Sequence, residues 1–215
     1  MGIEKHKESA GYLAEEIHNL SKDYEFTHIM TAAAKYVYNK LSDSNPKERE
    51  KKLETEFMDN LSGSTLASDI SSEAVFYNVR LEYSDSIFIW PHIKKTTSLT
   101  YSDYSEYVIV IPKWLKKLDG QNINKKTTVK SGCYEISPAE KLIKDLKINE
   151  DDKFDLAMVV YHETCHMIYD FIRSSIENGD NTVFTYRGEP LLEECLNDEE
   201  EFFCTEFAKN IIALK

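Results

Sequence analysis

The stretch VVYHETCHMIYDFI sets a glutamate, Glu163, directly after one histidine, His162, and a second histidine, His166, four positions after the first. On a helix, residues four apart share a face, so both imidazoles point the same way. Two neutral imidazoles one turn apart are what a zinc ion requires of a helix, and a glutamate between them lands where it can take a proton from water at the metal. From Asp152 to Arg173 no Gly or Pro intervenes, Asp152 or Asp155 can cap the start, and nearly every face is apolar, with Met158, Val159 and Tyr169 on the side of the two histidines. The spacing therefore predicts a buried central helix. A charged Glu163 is costly there unless it faces a polar cavity, which favours a metal site over histidines that merely satisfy each other in a core.

A catalytic zinc site takes three protein ligands and keeps a place for water, so the two histidines need a third partner. His6, His18, His28 and His92 all precede the motif. A downstream carboxylate is expected instead, and EPLLEECLNDEEEFFCTEFAKNIIALK offers several. At about 100° per residue, Leu196, Glu200, Phe203, Ile211 and Leu214 all fall within roughly 40° of Phe207. Glu200 alone interrupts that apolar stripe, and an inward carboxylate calls for a cation; Glu200 is the expected ligand. Glu199 and Glu201 lie about 80° and 120° from the stripe and read as solvated. Glu194 with Asp198 is the rival pair, and Glu201 and Glu199 stay open as further alternatives.

HETCH followed by a downstream glutamate resembles the zincin-like metallopeptidases of gluzincin type, and Glu194 with Asp198 has the E-x-x-x-D spacing of their thermolysin-type members. The lack of a histidine after the motif sets the chain apart from the metzincins and from the SprT-like proteins, whose HEMCH is otherwise similar. The tail EFFCTEFAKNII is also similar to the E-x-x-A-x-x-F-A-x-x-L-L tail of ImmA/IrrE-type peptidases. That alignment puts Glu201 at the family's glutamate and Cys204 at its alanine, and lacks the family's terminal proline. The resemblance covers roughly the last 60 residues and rests on two short motifs. It implies a zinc metalloendopeptidase acting on a protein or peptide, Zn2+ as the cofactor, and Glu163 as the general base that passes a proton from water to the leaving amine. An extended substrate would lie along a sheet edge such as Ala74 to Tyr83. Tyr169, Tyr186, Arg187 and His92 are candidates to steady the oxyanion, and Asp170, one turn past His166, is a candidate to orient that histidine. The alternative is a zinc-binding regulatory or interaction protein that keeps the fold without turnover.

The rest of the chain must position these residues. Leu13, Ile17 and Leu20, then Ile29, Ala33, Tyr36 and Val37, recur at helical spacing from Ser9 to Leu41, as two helices; Asn45 and Pro46 open another that Gly63 would close. EAVFYNVRLEYSDSIFIWPHI and SEYVIVIP are strands. Val75 to Tyr83 alternates and suits an edge, whereas Tyr107 to Ile111 is apolar throughout and suits a sheet centre. KKLDGQNINKKTTVKSG reads as a solvated connection. The fold class expected is α+β: a helical part over residues 1–70, then a small mixed sheet, the central helix and the ligand helix over 71–215, in a single zincin-like domain. The 215 residues, 41% hydrophobic, suffice for one core. Lys and Arg number 26 against 38 Asp and Glu, and the net charge of −12 argues against nucleic acid and anionic membrane surfaces. No run approaches the length of a membrane span, and the start has no signal-peptide pattern. Four cysteines without a CxxC pairing suit a reducing compartment, so a cytoplasmic protein is expected.

Overall fold

Apolar residues at three- and four-residue spacing fold the N-terminal segment into helix α1 (Ile3–Ser21), which buries Ala10, Leu13, Ala14 and Ile17. Helix α2 (Phe26–Ser42) turns back after a short connection in which Asp23 Oδ1 accepts the Glu25 amide proton at 2.9 Å, and it buries Ile29, Met30, Ala33 and Val37. These are the two N-terminal helices expected from the sequence. The computed structural model describes residues 3–21, 23–42, 79–85, 92–96, 104–123, 128–131, 134–136, 153–192 and 197–215. The helix expected after Asn45, the start of the first strand before Val79, and Glu194 lie outside the described residues.

The main sheet has three strands in the order β1 (Val79–Ser84), β3 (Tyr104–Pro112), β2 (His92–Thr96). Strand β3 pairs in parallel with β1, Leu81 opposite Ile109, and antiparallel with β2, Ile93 opposite Tyr107. The more continuously apolar strand is central, with Ile109 and Ile111 fully buried, and the alternating strand lies at the edge among the described residues. A strand apolar on both faces loses least when both are covered, which is why composition separates centre from edge. Pro112 then opens a short helix, α3 (Lys113–Leu118), whose Trp114, Leu115 and Leu118 are buried.

The lysine-rich connection is less solvated than its composition suggests. Ile123 is fully buried, Gly120 donates its amide proton to the Phe154 carbonyl at 2.8 Å, and Phe154 donates back to Gln121 at 2.8 Å. Gly120 has φ +74°, a left-handed turn that glycine adopts without strain. The last residues of the connection form strand β4 (Val129–Ser131), which pairs antiparallel with β5 (Tyr134–Ile136).

Helix α4 (Leu156–Glu177) is the central helix, and its first turn is capped twice: Asp155 Oδ1 accepts the Ala157 amide proton at 2.8 Å, and Asp119 Oδ1 accepts that of Leu156 at 2.9 Å. These bonds satisfy amides that a helix start leaves without intrahelical partners. Residues 156–165 are all buried, so the helix runs through the core as its sequence requires. A hairpin of β6 (Thr185–Tyr186) and β7 (Glu189–Pro190) follows, turning through Arg187 and Gly188 at φ 52° and 82°. Helix α5 (Asn197–Ala213) packs against both α4 and α1. The whole is a mixed arrangement of helices with small sheets, consistent with α+β. Among the described residues no helix is long and apolar enough to cross a membrane.

Candidate metal centre

Helix α4 sets His162 and His166 one turn apart with their Nε2 atoms 3.1 Å from each other. His162 is 3% exposed, so its imidazole has exchanged water for whatever the site supplies. Helix α5 brings the carboxylate: Glu201 Oε2 lies 3.2 Å from His162 Nε2, and its Oε1 lies 3.7 Å from His166 Nε2. Around a tetrahedral ion with bonds of about 2.0–2.1 Å, donor atoms sit about 3.3 Å apart. The nearest separations lie around that value, those to Glu201 being made by its two different oxygens, and among the described residues His162, His166 and Glu201 are the one group of three whose donor atoms lie within 4.8 Å of one another. The chemistry of the set fits as well, since two imidazoles and a carboxylate are nitrogen and oxygen ligands that zinc accepts. The donors can hold a metal ion.

The identity of the carboxylate differs from the sequence expectation. Glu200 does point inward, but its Oε1 lies 2.7 Å from Nδ1 of His166, on the side of the ring away from the convergence point, and its Oε2 pairs with Arg173. A carboxylate ion can only accept, so His166 donates Nδ1–H, and Nε2 is the ring atom turned to the cluster. Arg173 also approaches Asp170, Nη1 to Oδ1 at 3.8 Å, and lies 5.4 Å over the Tyr169 ring. The contact proposed from sequence between Asp170 and His166 is thus made by Glu200. His162 meets a different partner, the Thr205 hydroxyl at 3.3 Å from its Nδ1. Glu199 faces neither histidine; its Oε2 is 3.0 Å from Nε2 of the buried His6 on α1.

The reason lies in how α5 is wedged. It buries Phe203, Phe207 and Ile211, as the apolar stripe predicts, but also Cys204, Thr205 and Ala208. With neighbours on two sides, its buried arc spans about 200°, and Glu201 falls over the small-residue half of it. The only sequence signal for this was the tail alignment that put Glu201 in the glutamate position. Leu214, on the stripe, is 37% exposed.

The electrostatics follow from this packing. Burial alone would lower the His166 pKa, but contact with Cys204 and the carboxylates of Glu200 and Glu163 outweigh it and raise the value. Complete burial pushes the Cys204 thiol well up, keeping it neutral, so the carboxylates are the cause that matters for His166. Burial raises the Glu200 carboxyl, yet its bonds to His166 and Arg173 prevail and hold it below its ordinary range. Asp170 is pushed up by burial and by Glu200. Glu163, 9% exposed, is close enough to His166 to bear on its charge, as a residue flanking the first histidine must be. Glu201 is 61% exposed, so the cluster opens to solvent on its carboxylate side.

No protein-family model matches the chain, and no curated protein or solved structure matches it. The site stands on its geometry. Of the residues suggested for an oxyanion, Tyr169 is fully buried against Phe203, Tyr186 packs against Tyr12 with ring centroids 4.5 Å apart and the rings tilted, and Arg187 is exposed over the Tyr186 ring. His92 begins β2.

Proposed function

We propose that the chain is a zinc-dependent metallopeptidase with a zincin-like fold, in which His162, His166 and Glu201 hold the ion and Glu163 is the general base. The observation that carries this reading is the convergence of two imidazole nitrogens and a carboxylate oxygen, within 4.8 Å of one another, beside a buried glutamate. Two histidines and one carboxylate leave a position open for water, which distinguishes a catalytic donor set from a closed structural one. When bound there, zinc supplies a Lewis acid that brings the pKa of water toward neutrality and polarises a carbonyl. Glu163 takes the proton of the attacking water and delivers it to the leaving amine. The opening beside Glu201 admits the substrate, a protein or peptide, and β1, which among the described residues pairs only with β3, offers an edge for an extended chain.

Cleavage of a general peptide library by the zinc-loaded protein, with and without a chelator, tests this together with Glu163→Gln. The expected result is chelator-sensitive hydrolysis that zinc restores, and a variant that keeps its zinc but loses about 10²–10⁴-fold in rate. A Glu163→Gln rate close to wild type would exclude Glu163 as the base. Stoichiometric zinc with no cleavage of any peptide would favour a zinc-holding protein without turnover.

A further inference from the structure

The two histidines of the cluster are held in unlike ways. His162 Nδ1 faces a hydroxyl, that of Thr205, which can donate or accept and so leaves either tautomer open. His166 Nδ1 faces a carboxylate, which only accepts and therefore dictates that the proton sits on Nδ1. That dictation works only while Glu200 stays aimed. Its side chain has several torsions, and the neighbouring carboxylate of Asp170 repels it.

The aiming falls to Arg173. It stands seven residues after His166, two turns along the same face of α4, and its Nη2 binds the Glu200 oxygen that His166 does not use. The guanidinium is itself fixed from two other sides, over the buried Tyr169 ring at 5.4 Å and by Asp170 at 3.8 Å. A planar fork fixed at several points holds a carboxylate in one orientation, which a flexible ammonium does not. We infer that Arg173 is a positioning residue: it clamps Glu200 against Nδ1 of His166 and so fixes the Nε2 lone pair of that histidine toward the ion. This rests on the metal site proposed above, and deepens it by adding a residue that acts through Glu200.

Zinc affinity measured by competition with a colorimetric chelator tests the clamp in wild type, Arg173→Met and Asp170→Asn. Arg173→Met is expected to weaken zinc binding about 10- to 100-fold, the usual cost of losing an outer partner of a metal-binding histidine. Asp170→Asn, which weakens one of the two further holds on the guanidinium but leaves Arg173 on Glu200 and Glu200 on His166, is expected to lose clearly less zinc affinity than Arg173→Met. Nitrogen-15 spectra of the zinc-loaded proteins give a second readout: a slowly exchanging proton on His166 Nδ1 in wild type, exchanging much faster in Arg173→Met. Should Arg173→Met not fold, Arg173→Gln carries the same two measurements. Wild-type affinity in the Arg173 variant, an equal loss in Asp170→Asn, or an unchanged Nδ1 proton each overturns the clamp while leaving the metal site standing. A wild-type protein that takes no zinc overturns both.

Discussion

Three successive glutamates with three different partners make a graded test of the ligand set. Glu201 faces both Nε2 atoms, Glu200 faces Nδ1 of His166, and Glu199 faces His6, so conversion of each to Gln should cost zinc affinity in that order. Removing a direct ligand costs more than the 10- to 100-fold of an outer partner, so Glu201→Gln is expected to lose about 100-fold or more. Glu200→Gln keeps an oxygen that accepts from Nδ1 but loses its charge toward Arg173, for about tenfold. Glu199→Gln should bind as wild type does. Thermal shift reads this directly. Zinc at 100 times its Kd stabilises wild type by about 2.7 kcal/mol, and in Glu201→Gln the same concentration is near Kd and yields about 0.4 kcal/mol. For a chain of this size those figures are about 5–10 °C and about 1 °C. Because Glu201 is 61% exposed, its substitution should leave the metal-free melting temperature nearly unchanged, which keeps the comparison clean. A Glu200→Gln protein that loses as much zinc-induced shift as Glu201→Gln, or more, would refute the ligand assignment.

His162→Ala and His166→Ala should each abolish stoichiometric zinc in elemental analysis, since two remaining donors do not hold the ion; full metal content in either would remove that histidine from the site. The raised His166 pKa implies that the metal-free protein carries a proton there at neutral pH, and binding through Nε2 must displace it. Zinc affinity should therefore rise with pH, with proton release visible as a buffer-dependent binding enthalpy; enthalpies independent of buffer would contradict the shift. In the metal-free fold the same shift stabilises fully below the unfolded histidine value of about 6.5 and is lost as pH climbs through the raised folded value.

What the sequence made legible follows from which residues report their surroundings. Helix α4 is apolar on nearly every face and carries its own cap in Asp155, so its existence, burial and the shared face of His162 and His166 could be read directly. The same holds for α1 and α2, where Leu13, Ile17, Ile29 and Val37 mark one buried face. Helix α5 was legible as a helix but not in its full buried arc. Large residues at 203, 207 and 211 announce one contact face, whereas Cys204, Thr205 and Ala208 look unremarkable in sequence and yet are buried, Thr205 against His162. Small residues let helices approach closely but carry little hydrophobic signal. Arg173 was hidden for a related reason: a charged residue late in a helix reads as surface until its partner on another helix is in place. In the connection that reads as solvated, Asp119 to Asn122 are exposed, and its lysine-rich composition gives no sign that Ile123 is buried.

The wedge of α5 between α1 and α4 has a consequence for how this chain can vary. Each residue along a helix turns about 100°, so adding or removing one position between Glu201 and Phe203 would rotate every carboxylate before it by that angle relative to the residues after it. An insertion would move Glu201 to the station of Glu200 and Glu200 to that of Glu199, beside His6, whereas a deletion would bring Glu200 to the ligand station and Glu199 to the Nδ1 side of His166. Phe203, Phe207 and Ile211, anchored in the core, forbid the rest of the helix from turning to compensate. Substitutions at these positions change one contact each; because the three residues are identical, a one-residue deletion there leaves a carboxylate at both stations, whereas insertion of an uncharged residue leaves none at the ligand station.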